Sequence, residues 1–187
     1  MEILDIKSGQ WYKAPPMMYN GRNIQLLITI IGQSLYLLLS VRGIATCSKS
    51  LLKVSLPTLI SYTLQGRNRD TSIWEKMPDV PLYRTTLFSI GNMLLTAGGS
   101  HSGTVGNLLS AMHVKDAKVS ADIHLFNPHT NQWLKIGELS EPKKWCACTV
   151  LPSGKLLVAG GERSSGDLLY TVYTAMISGS YFEPPHY

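Results

Sequence analysis

The feature that most constrains this 187-residue chain is a short segment that occurs twice, as Leu-Leu-Thr-Ala-Gly-Gly at residues 94–99 and as Leu-Leu-Val-Ala-Gly-Gly at residues 156–161. Each copy follows an apolar run and a turn, with Ile-Gly-Asn at 90–92 before the first and Leu-Pro-Ser-Gly-Lys at 151–155 before the second. Two apolar runs joined by a few turn residues predict a β-hairpin. The chain is therefore expected to contain repeated hairpins, each ending in a double glycine.

A third, degenerate copy lies earlier in the chain. There Ile-Gly-Gln at 31–33 precedes the apolar run 35–39, and Leu39-Ser40 takes the place of the double glycine. A tryptophan followed by lysine and a turn occurs three times, and about ten residues after each tryptophan the chain reaches a basic residue. A recurrence of about 60 residues made of short strands indicates propeller blades rather than a helical solenoid.

The order of these features resembles the kelch family. A hairpin leads to the double glycine, a strand follows that ends at Phe126, and then come Asn131-Gln132-Trp133. The resemblance covers most of the chain and implies an all-β fold, a kelch-type β-propeller of four-stranded antiparallel blades, here an incomplete ring of about three blades. Its implied units within the single partial propeller 1–187 are an outer strand of a preceding or closing blade at 1–20, a degenerate blade at 21–78, a blade at 79–137 and a blade lacking its last strand at 138–187.

Composition narrows the class of partner. With 44% hydrophobic residues the chain can bury a core as one globular body. The net charge of +5 and the pI near 9.1 suit an acidic or neutral partner. The 17 basic residues are scattered without a run and no nucleic-acid-binding motif accompanies them, so no nucleic-acid partner is expected.

Cysteine usage and hydropathy predict a cytoplasmic protein that does not enter a membrane. An odd number of cysteines, Cys47, Cys146 and Cys148, makes a poor disulfide framework and indicates a reducing compartment. The N-terminus does not show the layout of a signal peptide. Residues 24–41 carry no charge and are long enough for a short membrane span. Because Gly-Gln-Ser at 32–34 interrupts them and β-branched residues crowd 28–31, two buried strands explain them better.

The repeated glycines and tryptophans have expected structural roles. The glycines should permit a positive φ or a close backbone approach that any side chain would obstruct. The tryptophans should build the scaffold, and those of the second and third copies should pack between neighbouring blades. The glycines are Gly98, Gly99, Gly160 and Gly161, and the tryptophans are Trp11, Trp74 and Trp133.

The sequence predicts no catalytic, metal or cofactor site. The histidines form no pair at a ligand spacing, and Cys146-x-Cys148 lacks the paired spacings of structural zinc sites. Ser153-Gly154-Lys155 lacks the preceding glycine and the following helix of a phosphate-binding loop. The kelch scaffold also includes enzymes such as galactose oxidase, so a fragment of a propeller enzyme acting on carbohydrate is the alternative to a non-enzymatic role.

The resemblance implies instead a protein-protein interaction module that binds through the loop rim, where a basic residue opens each blade. The expected partner is a protein, in particular an acidic segment that a ring of positive charge would attract. The candidate partner-binding residues are Arg22, Arg84, Lys143, Lys144, His101 and Arg163.

Two settings for such a module stay open. Many kelch proteins deliver substrates to a cullin ubiquitin ligase through a separate dimerising domain, and others bind cytoskeletal or signalling proteins.

About three blades are few for a closed ring. The chain is therefore expected to be a fragment of a longer propeller, a homodimer that closes the ring, or an open arc with exposed edges.

Overall fold

The apolar runs on either side of each predicted turn form strands. The computed structural model describes residues 2–4, 6–13, 24–42, 47–55, 74–101 and 118–176, and every regular element in these ranges is a β-strand. None of the described residues belongs to a helix long and apolar enough to cross a membrane. The strands are β1 (Glu2–Leu4), β2 (Trp11–Lys13), β3 (Ile24–Ile31), β4 (Ser34–Arg42), β5 (Cys47–Ser55), β6 (Glu75–Met77), β7 (Phe88–Ile90), β8 (Met93–Ser100), β9 (Val119–Asn127), β10 (Gln132–Glu138), β11 (Ala147–Val150), β12 (Lys155–Ala159) and β13 (Val172–Met176).

All pairings between these strands are antiparallel. The first sheet has the order β3-β4-β5-β6, the second β10-β9-β8-β7 and the third β11-β12-β13, while β1 and β2 form a separate pair. None of these sheets closes on itself within the described ranges. The prediction of an all-β fold built from antiparallel sheets is thus confirmed. The three larger sheets overlap the predicted units 21–78, 79–137 and 138–187, with β10 of the second sheet ending one residue past its unit at Glu138. The division of the chain into blades stays a prediction.

The predicted turns join the strands as hairpins. Gly32, Gly91 and Gly154 lie in the turns of the three sheets, with φ of 53°, 51° and 76°. Residues 24–41, which have the hydropathy of a short membrane span, form the paired strands β3 and β4.

The second sheet lies between the other two and buries both of its faces. Its strand β8 alternates, so that Leu94 packs against residues of the first sheet and Leu95 against residues of the third. The core between the first and second sheets consists of Ile31, Tyr36, Leu38, Met77, Val80, Leu87, Leu94 and Phe126. The core between the second and third consists of Phe88, Leu95, Ala97, Ile123, Leu125, Leu139, Cys146, Leu156 and Val158. Stacked faces of this kind are the main apolar burial in the chain.

The tryptophans differ in their surroundings. Trp133 packs against the core between the first and second sheets, its ring centroid lies 5.0 Å from that of Phe126, and its Nε1–H donates to the Pro78 carbonyl at 3.2 Å. Trp74 is buried just before β6. Trp11 is 66% exposed in β2. The scaffold role of Trp11 stays a prediction.

The double glycines combine positive φ with close backbone contact. In the second sheet φ is 62° at Gly98 and 121° at Gly99, and in the third it is 62° at Gly160 and 112° at Gly161. A Cβ at Gly98 would lie 2.4 Å from the Lys143 carbonyl oxygen. The register of β8 against β9 shifts between Ala97 and Gly99, which marks a β-bulge. The first sheet, with Leu39-Ser40 in place of the glycines, keeps an unbroken register along β4.

Replacing Gly98 by alanine should therefore destabilise the protein through two effects. A positive φ costs about 1–2 kcal/mol for a residue with a Cβ, and the overlap with a backbone carbonyl should add about 1–3 kcal/mol. Gly91→Ala is the matched control, since Gly91 has φ of 51° but nothing within 4 Å of the added Cβ. Urea denaturation measures both variants, and equal losses of unfolding free energy would show that the close approach does not matter.

Candidate functional site at the glycine end of the sheets

Five backbone segments meet at the end of the sheets where the double glycines lie. Tyr83 and Ser100 exchange two backbone hydrogen bonds of 2.9 and 2.7 Å, and Lys144 and Glu162 exchange two of 3.0 and 2.8 Å. The Gly99 amide donates to the Lys143 carbonyl at 2.8 Å and so joins the second sheet to the third. We call this surface the loop edge, and it consists of residues 82–85, 98–101, 118–120, 143–146 and 160–163.

The two backbone bridges show which residues of the second and third units are structurally equivalent. Tyr83 corresponds to Lys144, so Arg84 corresponds to Trp145, and these two share a positive φ of 54° and 61°. By the same register Lys143 corresponds to Leu82. The sequence comparison matched Arg84 with Lys143 by their distance from the tryptophans, and the structure shows that this register is shifted.

Lys143 is consequently a buried residue rather than part of an exposed ring of charge. It is 0% exposed, as its counterpart Leu82 is 2% exposed. Its Nζ lies 3.2 Å from Glu141 Oε1 and 4.7 Å from the centroid of the Tyr173 ring. The hydrocarbon stem packs against the backbone of Gly161, where an added Cβ would lie 3.3 Å from Lys143 Cδ. Lys143 therefore lies beside a carboxylate and an aromatic face inside the protein, although its buried Nζ makes no hydrogen bond to the described residues.

The neighbouring cations are also paired within the chain. Lys144 is buried, and its Nζ lies 2.8 Å from Glu162 Oε1. Arg163 is exposed and donates from Nε and from a terminal guanidinium nitrogen to Glu141 Oε2, at 3.0 and 2.7 Å. These hydrogen bonds from Arg163, followed by the interaction with Lys143, hold the pKa of Glu141 below its ordinary value. Glu141 thus connects one buried and one exposed cation.

Glu141 and Glu162 are the site residues that the sequence analysis missed. Glu141 stands two positions before Lys143, and Glu162 directly follows the double glycine. A carboxylate near a basic pair is a weak signal by itself. The ion pairs can be recognised only when the segments 141–144 and 162–163 are known to lie side by side.

Besides Arg163, the exposed side chains of the loop edge include Trp145, His101 and Lys118, while Arg84 is half-buried. The Arg84 guanidinium carbon lies 5.7 Å from the centroid of the Trp145 ring, and Trp145 is 47% exposed. The Trp145 amide donates to the Arg84 carbonyl at 3.0 Å, so this pair spans the junction of the second and third units. His101 is exposed at the end of β8. Arg22 lies outside the described residues.

Of the described residues, no three His, Cys, Asp or Glu side chains come together as a group that could hold a metal ion. The thiols of Cys146 and Cys148 do lie close to each other, with 3.8 Å between their Sγ atoms.

Comparisons with known proteins support the fold alone. No family model matches the chain, and no curated protein matches it. Among solved structures, that of YjhT superposes with a TM-score of 0.64 at 19% sequence identity, over 96% of this chain. This chain spans 50% of the YjhT chain. A likeness at this level of identity concerns the arrangement of strands.

The equivalence of Lys143 with Leu82 predicts that Lys143→Leu folds normally. Leucine is the residue that the second unit places at this position. Removing one partner of a buried ion pair is costly when the other charge is left buried, but the Glu141 side chain is 26% exposed. Glu141 keeps Arg163 as its partner in this variant. Urea denaturation should show an unfolding free energy equal to that of the wild type or higher.

The reciprocal variant Leu82→Lys is the control for this prediction. It places an ammonium at the equivalent buried position, and we expect a loss of about 3–5 kcal/mol because the residue that corresponds to Glu141 in the second unit is Val80. If Lys143→Leu proves as destabilising as Leu82→Lys, the structural equivalence of the two positions is wrong.

Proposed function

We propose that the three stacked sheets are kelch-type blades of a β-propeller and that the chain is a non-catalytic protein-binding module. Its loop edge would contact an acidic segment of a partner protein. In the settings that the kelch resemblance implies, it would be the substrate-recognition part of a ubiquitin-ligase adaptor or a binder of cytoskeletal or signalling proteins.

The observation that supports this proposal is the contact of the half-buried Arg84 with the exposed Trp145. Arginine and tryptophan are the residue types that most often dominate binding energy at protein interfaces. Here they contact each other across the junction of two units, and a backbone hydrogen bond fixes their relative position. A preorganised arginine beside an indole suits a carboxylate flanked by an apolar group.

The burial of the lysines narrows the binding surface. Lys143 and Lys144 have carboxylate partners inside the chain, and Arg163 shares Glu141. The groups we assign to the partner contact are therefore Arg84, Trp145 and His101, with Arg163 available only if a partner carboxylate replaces Glu141. Lys118, directly before β9, is a further exposed cation of the loop edge.

Binding of an acidic segment can be tested with a fluorescein-labelled oligoglutamate peptide. We expect saturable binding that weakens with salt, and Arg84→Glu should weaken it by about tenfold. Lys155→Glu is the matched control, because it makes the same change in net charge at an exposed residue at the start of β12, outside the loop edge. Equal weakening by both variants would mean that the peptide responds to overall charge, and the loop edge would lose its assigned role.

We also propose that a second copy of this chain covers the outward faces of the first and third sheets. In β13, Val172, Thr174 and Met176 point away from the second sheet and are exposed. In β3, Ile28 and Ile30 do the same. This chain spans 50% of the YjhT chain, the solved structure to which it is similar. Two copies would supply that length and bury both faces.

Light scattering of the purified chain measures its solution mass and tests this assembly. The expected result is a monodisperse dimer, and Val172→Glu should shift it toward monomer at the same protein concentration, because the added carboxylate would be buried against the second copy. Thr130→Glu is the matched control and should leave the dimer intact, because it makes the same change in charge at an exposed residue in the turn between β9 and β10 of the second sheet. A monodisperse monomer at high concentration would contradict the proposal.

A further inference from the structure

The third unit contains a pair of thiols on one side of a strand that the protein-binding role does not use. Cys146 directly precedes β11, and Cys148 lies within it, two positions later. Their Sγ atoms are 3.8 Å apart. Cys146 is buried in the core between the second and third sheets, and Cys148 is half-buried at its margin.

The pair is close enough to form a covalent bond with only a small movement. Strand residues two positions apart have Cα atoms about 6.6–6.8 Å from each other, which is at the upper end of the range that disulfides accept. Rotation of the two side chains can bring the sulfur atoms from 3.8 Å to bonding distance. A bond formed at this limit is strained and is therefore easily reduced again.

The surroundings make one thiol a better nucleophile than the other. A hydrogen bond from Cys148 lowers the pKa of Cys146, and the nearby charge of Lys143 adds to this effect against the opposing influence of burial. The hydrogen bond to Cys146, burial and the negative charge of the Cys146 thiolate raise the pKa of Cys148. Cys146 is thus the thiol of the pair that ionises more readily.

Cys146 corresponds by structure to Thr85 in the second unit. A Cβ at Gly99 would contact Thr85 Cβ at 3.1 Å, and a Cβ at Gly161 would contact Cys146 Cβ at 3.3 Å. Thr85 donates its hydroxyl to the Ala97 carbonyl at 3.2 Å, whereas the Cys146 sulfur lies 3.7 Å from that same carbonyl oxygen. The fold therefore accepts a hydroxyl of similar size in the second unit, and a thiol here adds reactivity that packing does not require.

We propose that Cys146 and Cys148 are a redox-sensitive modification site that closes to a reversible disulfide on exposure to a hydroperoxide. The Cys146 thiolate sulfur attacks one peroxide oxygen and breaks the O–O bond. The sulfur is oxidised to a sulfenic acid, the peroxide is reduced, and the second oxygen of hydrogen peroxide leaves as hydroxide. Cys148 then attacks the sulfenic sulfur, and its proton leaves with the displaced hydroxide as water. Two thiols and one hydrogen peroxide give one disulfide and two waters, and a dithiol reductant restores the pair.

Peptide mapping after treatment with hydrogen peroxide tests this proposal directly. Trypsin cleavage after Lys144 and Lys155 releases both thiols on the single peptide 145–155, separate from Cys47. In the oxidised wild type this peptide should be lighter by two hydrogen atoms and should resist alkylation until it is reduced. Cys47→Ser should behave like the wild type, while Cys148→Ser should instead trap Cys146 as a sulfenic acid that reacts with dimedone.

The Lys143→Leu variant tests whether the positive charge of Lys143 promotes disulfide formation, or whether the two thiols react only because they lie close together. It should fold, and loss of the positive charge should slow disulfide formation by about threefold to tenfold. Two outcomes would overturn the proposal. One is a peptide 145–155 that stays fully alkylatable after peroxide treatment of the folded protein, and the other is a disulfide that forms only when guanidinium unfolds the chain.

Discussion

The close approach of the double glycines to neighbouring backbone is the constraint on which the arrangement of the sheets depends. At Gly99 an added Cβ would lie 2.6 Å from the Tyr83 carbonyl oxygen, within the same unit. At Gly98 it would lie 2.4 Å from the Lys143 carbonyl oxygen, in the next unit. Adjacent residues thus fix two different separations, and the Gly99 amide adds a hydrogen bond across the junction. The second sheet and the third unit can come this close because Gly98 and Gly99 have no Cβ atom.

Much of this fold is predictable because its signals are local. The turns at Gly32, Gly91 and Gly154 are flanked by apolar runs, and each became a hairpin. Glycine makes the positive φ at the double glycines accessible, and these positions do adopt it. The β1–β2 pair was not predicted as a pair, since its strands have only three residues each and carry no alternating pattern.

The candidate site was less predictable because its register depends on contacts between units. Counting from the tryptophans matches Arg84 with Lys143, whereas the backbone bridges match Arg84 with Trp145. The units differ slightly in length, so counting places the buried Lys143 where the structure has the exposed Trp145, two positions later. A lysine is also rarely buried, so sequence reasoning places it at the surface unless its partner is known. The partner, Glu141, is identified only by the folded arrangement.

The buried pair of Lys143 and Glu141 has a consequence for how far the third unit depends on its neighbours. Lys143 lies beside Glu141 and the Tyr173 ring, and all three residues belong to the unit 138–187. The second unit has Leu82 at the position that corresponds to Lys143. The groups that face this buried ammonium therefore come from its own unit, and they are present whichever surface the unit packs against. A contact of this kind is local in the chain and can form before the third unit meets the second.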